Sequence, residues 1–429
     1  MIRRMPALRT RTWAALLSAA LLAVFAVSGG PAVGASGHPP RQHWVGGWAA
    51  AAGPPGTSGP SATGFTDRTL RLVVHVGAGG SALRIRLSNE YGTTPLDIGA
   101  ATVATRGAGA AAAPGTRHTV TFGGRPATTV PAGARTVSDP VGLNTKPDTD
   151  LLVSLHLPGP TGPATYHGWA KQTSYVSTAG DHTADDTAAA YPTTTTSWFY
   201  LQGVDVSTRD AGGTVVAFGD SITEGGLTAN DSNRRWTDDL SRRLVKLERG
   251  HRPAVVNAGI GGNRILTPGG YNGSGSINLG DSAQARFGRD ALEQPGVRAV
   301  IFLEGTNDLG GLHGPHPGEQ LTAAHLTAGI SALAARTHAA GLRFHCGTIT
   351  PNGKLGDVGE EIREQVNTWL RGTSVCDGVI DFDRALRDPA DPHHLLPAYD
   401  AGDGVHPTDA GLKAMADTVD LRLLTGDVS

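Results

Sequence analysis

The sequence predicts two domains in series: an all-β sandwich or jelly roll, then an α/β domain whose parallel sheet carries helices on both faces. Three observations lead there. Between about Trp44 and Val206 apolar residues recur at every second position, with no helical run between them. From about Gly212 onward, short apolar runs alternate with stretches of helical spacing. A chain of 429 residues is also long for one domain.

Ahead of both domains lies a segment to be left out of the fold. Arg3, Arg4, Arg9 and Arg11 precede an apolar run from Ala14 to Val27, and Val33, Gly34 and Ala35 offer small residues for cleavage. A basic start, a short apolar centre and a small-residue end make residues 1–35 an expected signal peptide, too short for a membrane span. An uncleaved anchor is the competing reading. Residues 36–43 read as a flexible arm. The mature protein is expected to be secreted and extracellular, without stable membrane insertion. In that oxidising setting the two cysteines, Cys346 and Cys376, read as one disulfide between neighbouring strands, with a reduced pair as the alternative.

The expected β-sandwich spans residues 44–206. Leu70, Leu72, Val74 and Val76 alternate with Arg71, Val73 and His75, and Leu83, Ile85 and Leu87 alternate with Arg84, Arg86 and Ser88. Val153, Leu155 and Leu157 flank Ser154 and His156. Each run offers one core face and one mostly wet face. Clusters such as Gly77-Ala78-Gly79-Gly80 mark the turns. The alanine-, glycine- and threonine-rich stretches Gly107–Gly115 and Gly180–Thr196 read as loops, and residues 207–213 as a linker.

The expected α/β domain spans residues 214–424. Thr214–Phe218, Ala254–Asn257, Ala299–Leu303, Leu342–Ile349 and Gly378–Phe382 read as strands; Trp236–Leu247, Leu321–Ala340 and Glu360–Leu370 read as helices. A parallel sheet of this kind presents its reactive loops at the carboxyl ends of the strands. Composition narrows the function classes. Formal net charge is -2 at pH 7, and no basic stripe interleaved with aromatics appears, so nucleic acid is not an expected partner. The carboxylates show no persuasive metal grouping, and no metal or other cofactor is expected. Oligomeric state is not legible.

Four segments carry chemistry. In Phe218-Gly219-Asp220-Ser221-Ile222-Thr223-Glu224-Gly225 a serine hydroxyl sits at a strand-to-helix turn, close to free backbone N–H groups. Serine needs a base, and Ala401-Gly402-Asp403-Gly404-Val405-His406-Pro407 supplies His406 with Asp403 three residues earlier to hold its tautomer. Each segment also has a plain reading as a helix cap. Between them, Asn257-Ala258-Gly259-Ile260-Gly261-Gly262-Asn263-Arg264 and Gly305-Thr306-Asn307-Asp308 follow two other strands. The backbone N–H of Gly262, the amide of Asn307 and the N–H of Ser221 are candidates to stabilise an oxyanion. As alternatives, the glycine segment is a tight turn or phosphate loop, and Asn307-Asp308 a turn pair.

These four segments, in this order, resemble the four blocks of the GDSL/SGNH hydrolase family. The resemblance implies a flavodoxin-like three-layer α/β fold and metal-free ester hydrolysis. It implies Ser221 as nucleophile, His406 as base and Asp403 as orienting acid, with Ser221, Gly262 and Asn307 as the oxyanion hole. Trp44-Val45-Gly46-Gly47-Trp48-Ala49-Ala50 is similar to the opening of the N-terminal β domain of secreted actinobacterial esterases in that family. The expected function is a serine carboxylic ester hydrolase, with short-chain or carbohydrate acyl esters preferred and activity rising through about pH 6 to 8. A phospholipase or lipase, and an inactive polysaccharide-binding protein, are the alternatives. Expected partners are therefore ester substrates of small-molecule, carbohydrate or lipid type. Thr267–Gly280 reads as a cover for the acyl pocket or a passive excursion, with Ala285-Arg286-Phe287 packing it against the domain. Trp169 and Trp198 are candidate aromatic contacts, with core packing as the commoner role.

Overall fold

The computed structural model describes residues 43–271, 276–277, 279–310 and 318–425, with residues 271, 276 and 277 described by backbone alone. The expected signal peptide, residues 36–42 of the arm, and residues 272–275 and 278 of the loop after Gly262 lie outside the described residues. Among those described, no helix is long and apolar enough to cross a membrane.

The first domain is built on two main antiparallel sheets, one of four strands and one of six, with two short two-stranded pairs beside them. The alternation read from the sequence sets which side chains meet between them. Leu70, Leu72, Val74 and Val76 of strand Arg68–Val76 pack in one core with Leu83, Ile85 and Leu87 of strand Ala82–Ser88 and Val204 and Val206 of strand Leu201–Thr208. The opposite face of the larger sheet departs from the wet surface expected there. Arg71 is buried, donating to Ser154 Oγ (3.0 Å) and to the carbonyls of Ala110 (2.8 Å) and Asp185 (2.6 Å). Its guanidinium carbon lies 3.9 Å from the Tyr191 ring centroid. The stretches read as plain loops, 107–115 and 180–196, supply this cover, and Thr193–Thr195 within the second pairs as a strand with Ser174, Tyr175 and Val176. A guanidinium has five N–H groups, so one arginine can satisfy several loop carbonyls that would otherwise be left without donors.

The second domain is a five-stranded parallel sheet in the order 254–259, 214–219, 297–303, 343–347, 378–380. Its strands are apolar along their length because both faces are covered. Phe218, Val300 and Phe302 meet Phe287, Leu326 and Leu333 on one side, while Val215, Ala217 and Ile301 meet Trp236, Leu240, Leu412 and Met415 on the other. The last strand ends earlier than the apolar run to Phe382 suggests. It stops at Ile380, and the Asp381 side chain accepts from Arg384 N (3.1 Å) to start the helix Phe382–Leu386. Cys346, on strand Arg343–Gly347, is disulfide-bonded to Cys376, which sits just ahead of the last strand.

The two domains share packing. Strand Leu201–Thr208 takes up Ser207 and Thr208, and the next strand begins at Thr214, so residues 209–213 make the crossing. Gly46 N donates to Thr214 Oγ1 (2.9 Å), and a Cβ on Gly46 would stand 2.6 Å from Val256 Cγ1. Only a glycine lets the first domain's edge strand approach this closely. Ala49 belongs to the core of the second domain and Ala254 to that of the first.

Candidate active site

Strand order reverses where 214–219 lies between 254–259 and 297–303, and a crevice opens outside the carboxyl ends at such a point. The loops leaving these three strands carry Ser221, Gly262 and Asn307. The first turn is tight: a Cβ on Gly219 would lie 2.5 Å from the carbonyl of Leu303. Asp220 Oδ1 accepts from Ile222 N (2.9 Å) and caps the short helix Ser221–Glu224. The cap reading therefore holds for Asp220, and it sets Ser221 at the first position of the helix, on the wall of a cavity.

Ser221 Oγ lies 2.7 Å from His406 Nε2, and His406 Nδ1 lies 2.6 Å from Asp403 Oδ2. The other carboxylate oxygen of Asp403 accepts from the backbone N–H groups of Val405 (3.0 Å) and His406 (2.8 Å). Burial pushes the Asp403 carboxyl upward, but these bonds from His406 and Val405 outweigh it and hold the group below the ordinary carboxylate range. Asp403 is thus ionised near neutral pH. The alternative reading of Asp403 and His406 as helix caps does not hold, because Thr408 caps the helix Asp409–Thr418 by accepting from Gly411 N (3.2 Å).

Gly262 sits at φ +74°, a backbone region that favours glycine. Asn307 Nδ2 donates to the carbonyl of Asn263 (3.0 Å), which orients the amide; its second hydrogen has no acceptor among the described residues. The N–H groups of Ser221 and Gly262 have no protein acceptor among the described residues. Ser221, Gly262, Asn307 and His406 all line one cavity of about 350 Å³. Among the described residues, Glu360, Glu364 and His393 form a group spaced for a metal ion. Glu360, however, already accepts from Arg363 Nε (2.8 Å) and pairs with His393 Nδ1 (2.7 Å), so a cation would have to displace a guanidinium.

Beneath this cavity lies a residue whose part in the site sequence reasoning missed. Arg286 packs under the loops that carry Ser221, Gly262 and Asn307; its expected packing against the Thr267–Gly280 loop falls largely outside the described residues. It is fully buried and donates to the carbonyls of Gly219 (2.9 Å) and Ala258 (2.7 Å), to Asn263 Oδ1 (2.8 Å) and to Glu304 Oε1 (2.9 Å). One guanidinium thereby ties together the three loops that present Ser221, Gly262 and Asn307. The only signal in the sequence is a single charge in the short helix Ala283–Phe287. Asp308 contributes from the fourth corner, accepting from the backbone N–H groups of Ile265 (2.9 Å) and Leu266 (3.4 Å).

This buried network titrates. Burial, with added repulsion between Asp220 and Asp308, pushes the Asp220 carboxyl up to about 7, and burial pushes Glu304 up to about 8. Between an unfolded value of about 4 and its folded value, Asp220 holds a proton in the native chain that the unfolded chain has released. Stability therefore falls as pH rises across that interval. Asp220→Asn removes this share, so the decline of the urea midpoint between about pH 4 and 7 becomes shallower than in the parent chain. Parallel profiles in the two proteins would reject the titration of Asp220.

The first domain reaches the same cavity, which the sequence left open. His167 Nε2 pairs with Glu224 Oε1 (3.0 Å), three residues beyond Ser221, while its Nδ1 lies 3.0 Å from the carbonyl of Ala51. The two candidate tryptophans separate. Trp198 is 5% exposed, donates to the carbonyl of Val73 (2.7 Å) and meets Trp48 edge-on, so it is core. Trp169 is 49% exposed and lines the cavity of Ser221.

Residues 217–414 match the model of the GDSL-like Lipase/Acylhydrolase family. Among solved structures, the chain is similar to a catalytic mutant of an acetylxylan esterase from Geobacillus stearothermophilus, at 20% identity over 51% of this chain and 96% of that one, with a TM-score of 0.37. It is also similar to a GDSL-like lipase from Bacteroides thetaiotaomicron, at 16% identity over 49% of this chain and 87% of that one, with a TM-score of 0.35. Likenesses of this size do not bear on what the chain acts on. No curated protein compared with the chain matches it.

Proposed function

From the premise of a GDSL/SGNH-type hydrolase domain matched over residues 217–414, we propose that the chain is a secreted serine carboxylic ester hydrolase working through an acyl-enzyme. The observation that carries this is the 2.7 Å bond from Ser221 Oγ to His406 Nε2, opening onto a cavity. Ser221 Oγ attacks the ester carbonyl carbon while His406 Nε2 takes its proton. Asp403 holds the Nδ1 proton and stabilises the imidazolium that forms. The N–H groups of Ser221 and Gly262 and the free amide hydrogen of Asn307 receive the developing oxyanion. His406 then returns the proton to the leaving alcohol, and a water activated by the same imidazole releases the acid.

The preferred substrate is a short-chain or carbohydrate acyl ester. A cavity of about 350 Å³ is at the lower end of the range for small-ligand sites, roughly 300–1,000 Å³, which suits a short acyl group better than a pair of fatty chains. The Cys346–Cys376 bond suits an oxidising compartment and so the secreted, extracellular reading. The β domain ahead of the hydrolase accords with the actinobacterial esterase type. Oxyanion donors and nucleophile come from the chain itself, and each step above is carried by side chains and backbone N–H groups.

A panel of 4-nitrophenyl esters of rising acyl length, acetylated sugars and phospholipids tests the reading. We expect a sharp loss of kcat/KM beyond short acyl chains. Strong phospholipid turnover would establish the lipase alternative instead.

A further inference from the structure

Of the large apolar side chains exposed among the described residues, Trp169 alone lines the cavity of Ser221. It comes from the first domain, yet one edge of its ring rests against the catalytic loops of the second. A Cβ on Gly261 would stand 3.2 Å from Trp169 Cε3, and one on Gly226 would stand 3.4 Å from the same atom. Gly226 follows the Ser221 helix and Gly261 immediately precedes Gly262, so the indole edge lies against two positions that carry no side chain.

The segment carrying the indole is held on every side. Arg235 Nη2 donates to the carbonyl of Ala170, and Ala170 N donates to Thr196 O (3.0 Å). Ser197 Oγ donates to Gly168 O (2.9 Å), and Asp231 accepts from Thr173 N (2.6 Å) and Gln172 Nε2 (2.8 Å). An indole fixed by its edge and left half in water presents a rigid apolar face at little entropic cost to a partner. The neighbouring wall is hydroxyl-bearing, with Tyr166 against Gly168 and Ser197 bonded to it. An aromatic face beside hydroxyl groups matches a sugar ring, which has an apolar C–H face and a polar edge, better than it matches a fatty chain.

We propose that Trp169 is a stacking platform, supplied by the β domain, for a sugar ring in the alcohol part of the ester. This rests on the serine-esterase reading above. The β domain then helps to choose the substrate at the catalytic cavity itself rather than acting as a separate binding module.

The test compares β-D-glucose pentaacetate with ethyl acetate in the parent chain and in Trp169→Ala and Trp169→Phe. We expect Trp169→Ala to raise KM for the sugar ester about three- to tenfold and to lower the ratio of kcat/KM between sugar ester and ethyl acetate by a similar factor, with Trp169→Phe recovering part of the ratio. An unchanged ratio would overturn the proposal, leaving Trp169 as a wedge between domains. So would a selective loss of 4-nitrophenyl decanoate turnover, which would make it an acyl-chain wall. Absence of all ester turnover in the parent chain would strike the esterase reading alone. Stacking is read independently from tryptophan emission: glucose pentaacetate should shift it in Ser221→Ala and not in Ser221→Ala/Trp169→Phe. No shift in the first of these chains would overturn the platform.

Discussion

Ser221→Ala should lower kcat by about 10⁶-fold while leaving the thermal midpoint close to that of the parent chain. The substitution removes one oxygen from a small side chain at the cavity wall and leaves the Asp220 cap intact. Its effect is kinetic because only the hydroxyl can form the acyl-enzyme. His406→Ala should cost about as much, and the double variant no more than either single one, because nucleophile and base act as a unit. Asp403→Asn should cost about 10⁴-fold in kcat by presenting the wrong imidazole tautomer to Ser221. A serine-reactive phosphonate should label the parent chain stoichiometrically at Ser221. A folded Ser221→Ala chain with full turnover would reject Ser221 as the nucleophile, and a parent chain that resists the phosphonate and hydrolyses no ester would leave the inactive polysaccharide-binding reading.

The second large effect is on stability. Arg286→Met should lower the unfolding free energy by about 2–4 kcal/mol, since it strips the buried Glu304 carboxyl and Asn263 Oδ1 of their donor. It also leaves the carbonyls of Gly219 and Ala258 without a donor. Urea denaturation of Arg286→Met, Glu304→Gln and the double variant separates the two contributions. We expect the double variant to recover part of the loss, because an amide in place of the Glu304 carboxyl brings N–H donors to the acceptors left behind. Arg286→Lys should not restore stability, because an ammonium group cannot serve acceptors spread around a planar fork. A loss below about 1 kcal/mol in Arg286→Met would show that the three loops hold their places without it.

These two expectations draw on different kinds of information. The groups behind the first were named from four short segments: a serine at a strand-to-helix turn, a histidine with an acid three residues before it, and two loops after strands. Local chemistry made them recognisable, and the parallel sheet brings the carboxyl ends of its strands together whatever the details of packing. The strands themselves were legible because a backbone periodicity of two, or an apolar run covered on both faces, is written in consecutive residues. Boundaries drifted where a cap competed with hydrophobicity, as at Asp381.

Arg286, the His167–Glu224 pair, the cover over Arg71 and the placing of Trp169 beside Ser221 could be decided only by the folded chain. Each depends on which surfaces close against each other across fifty or more residues, or on how a buried charge finds acceptors on separate loops. Periodicity reports the face a side chain occupies and is silent on what that face meets. Trp169 and Trp198 are alike as sequence, and packing alone makes one of them core and the other a wall of the catalytic cavity.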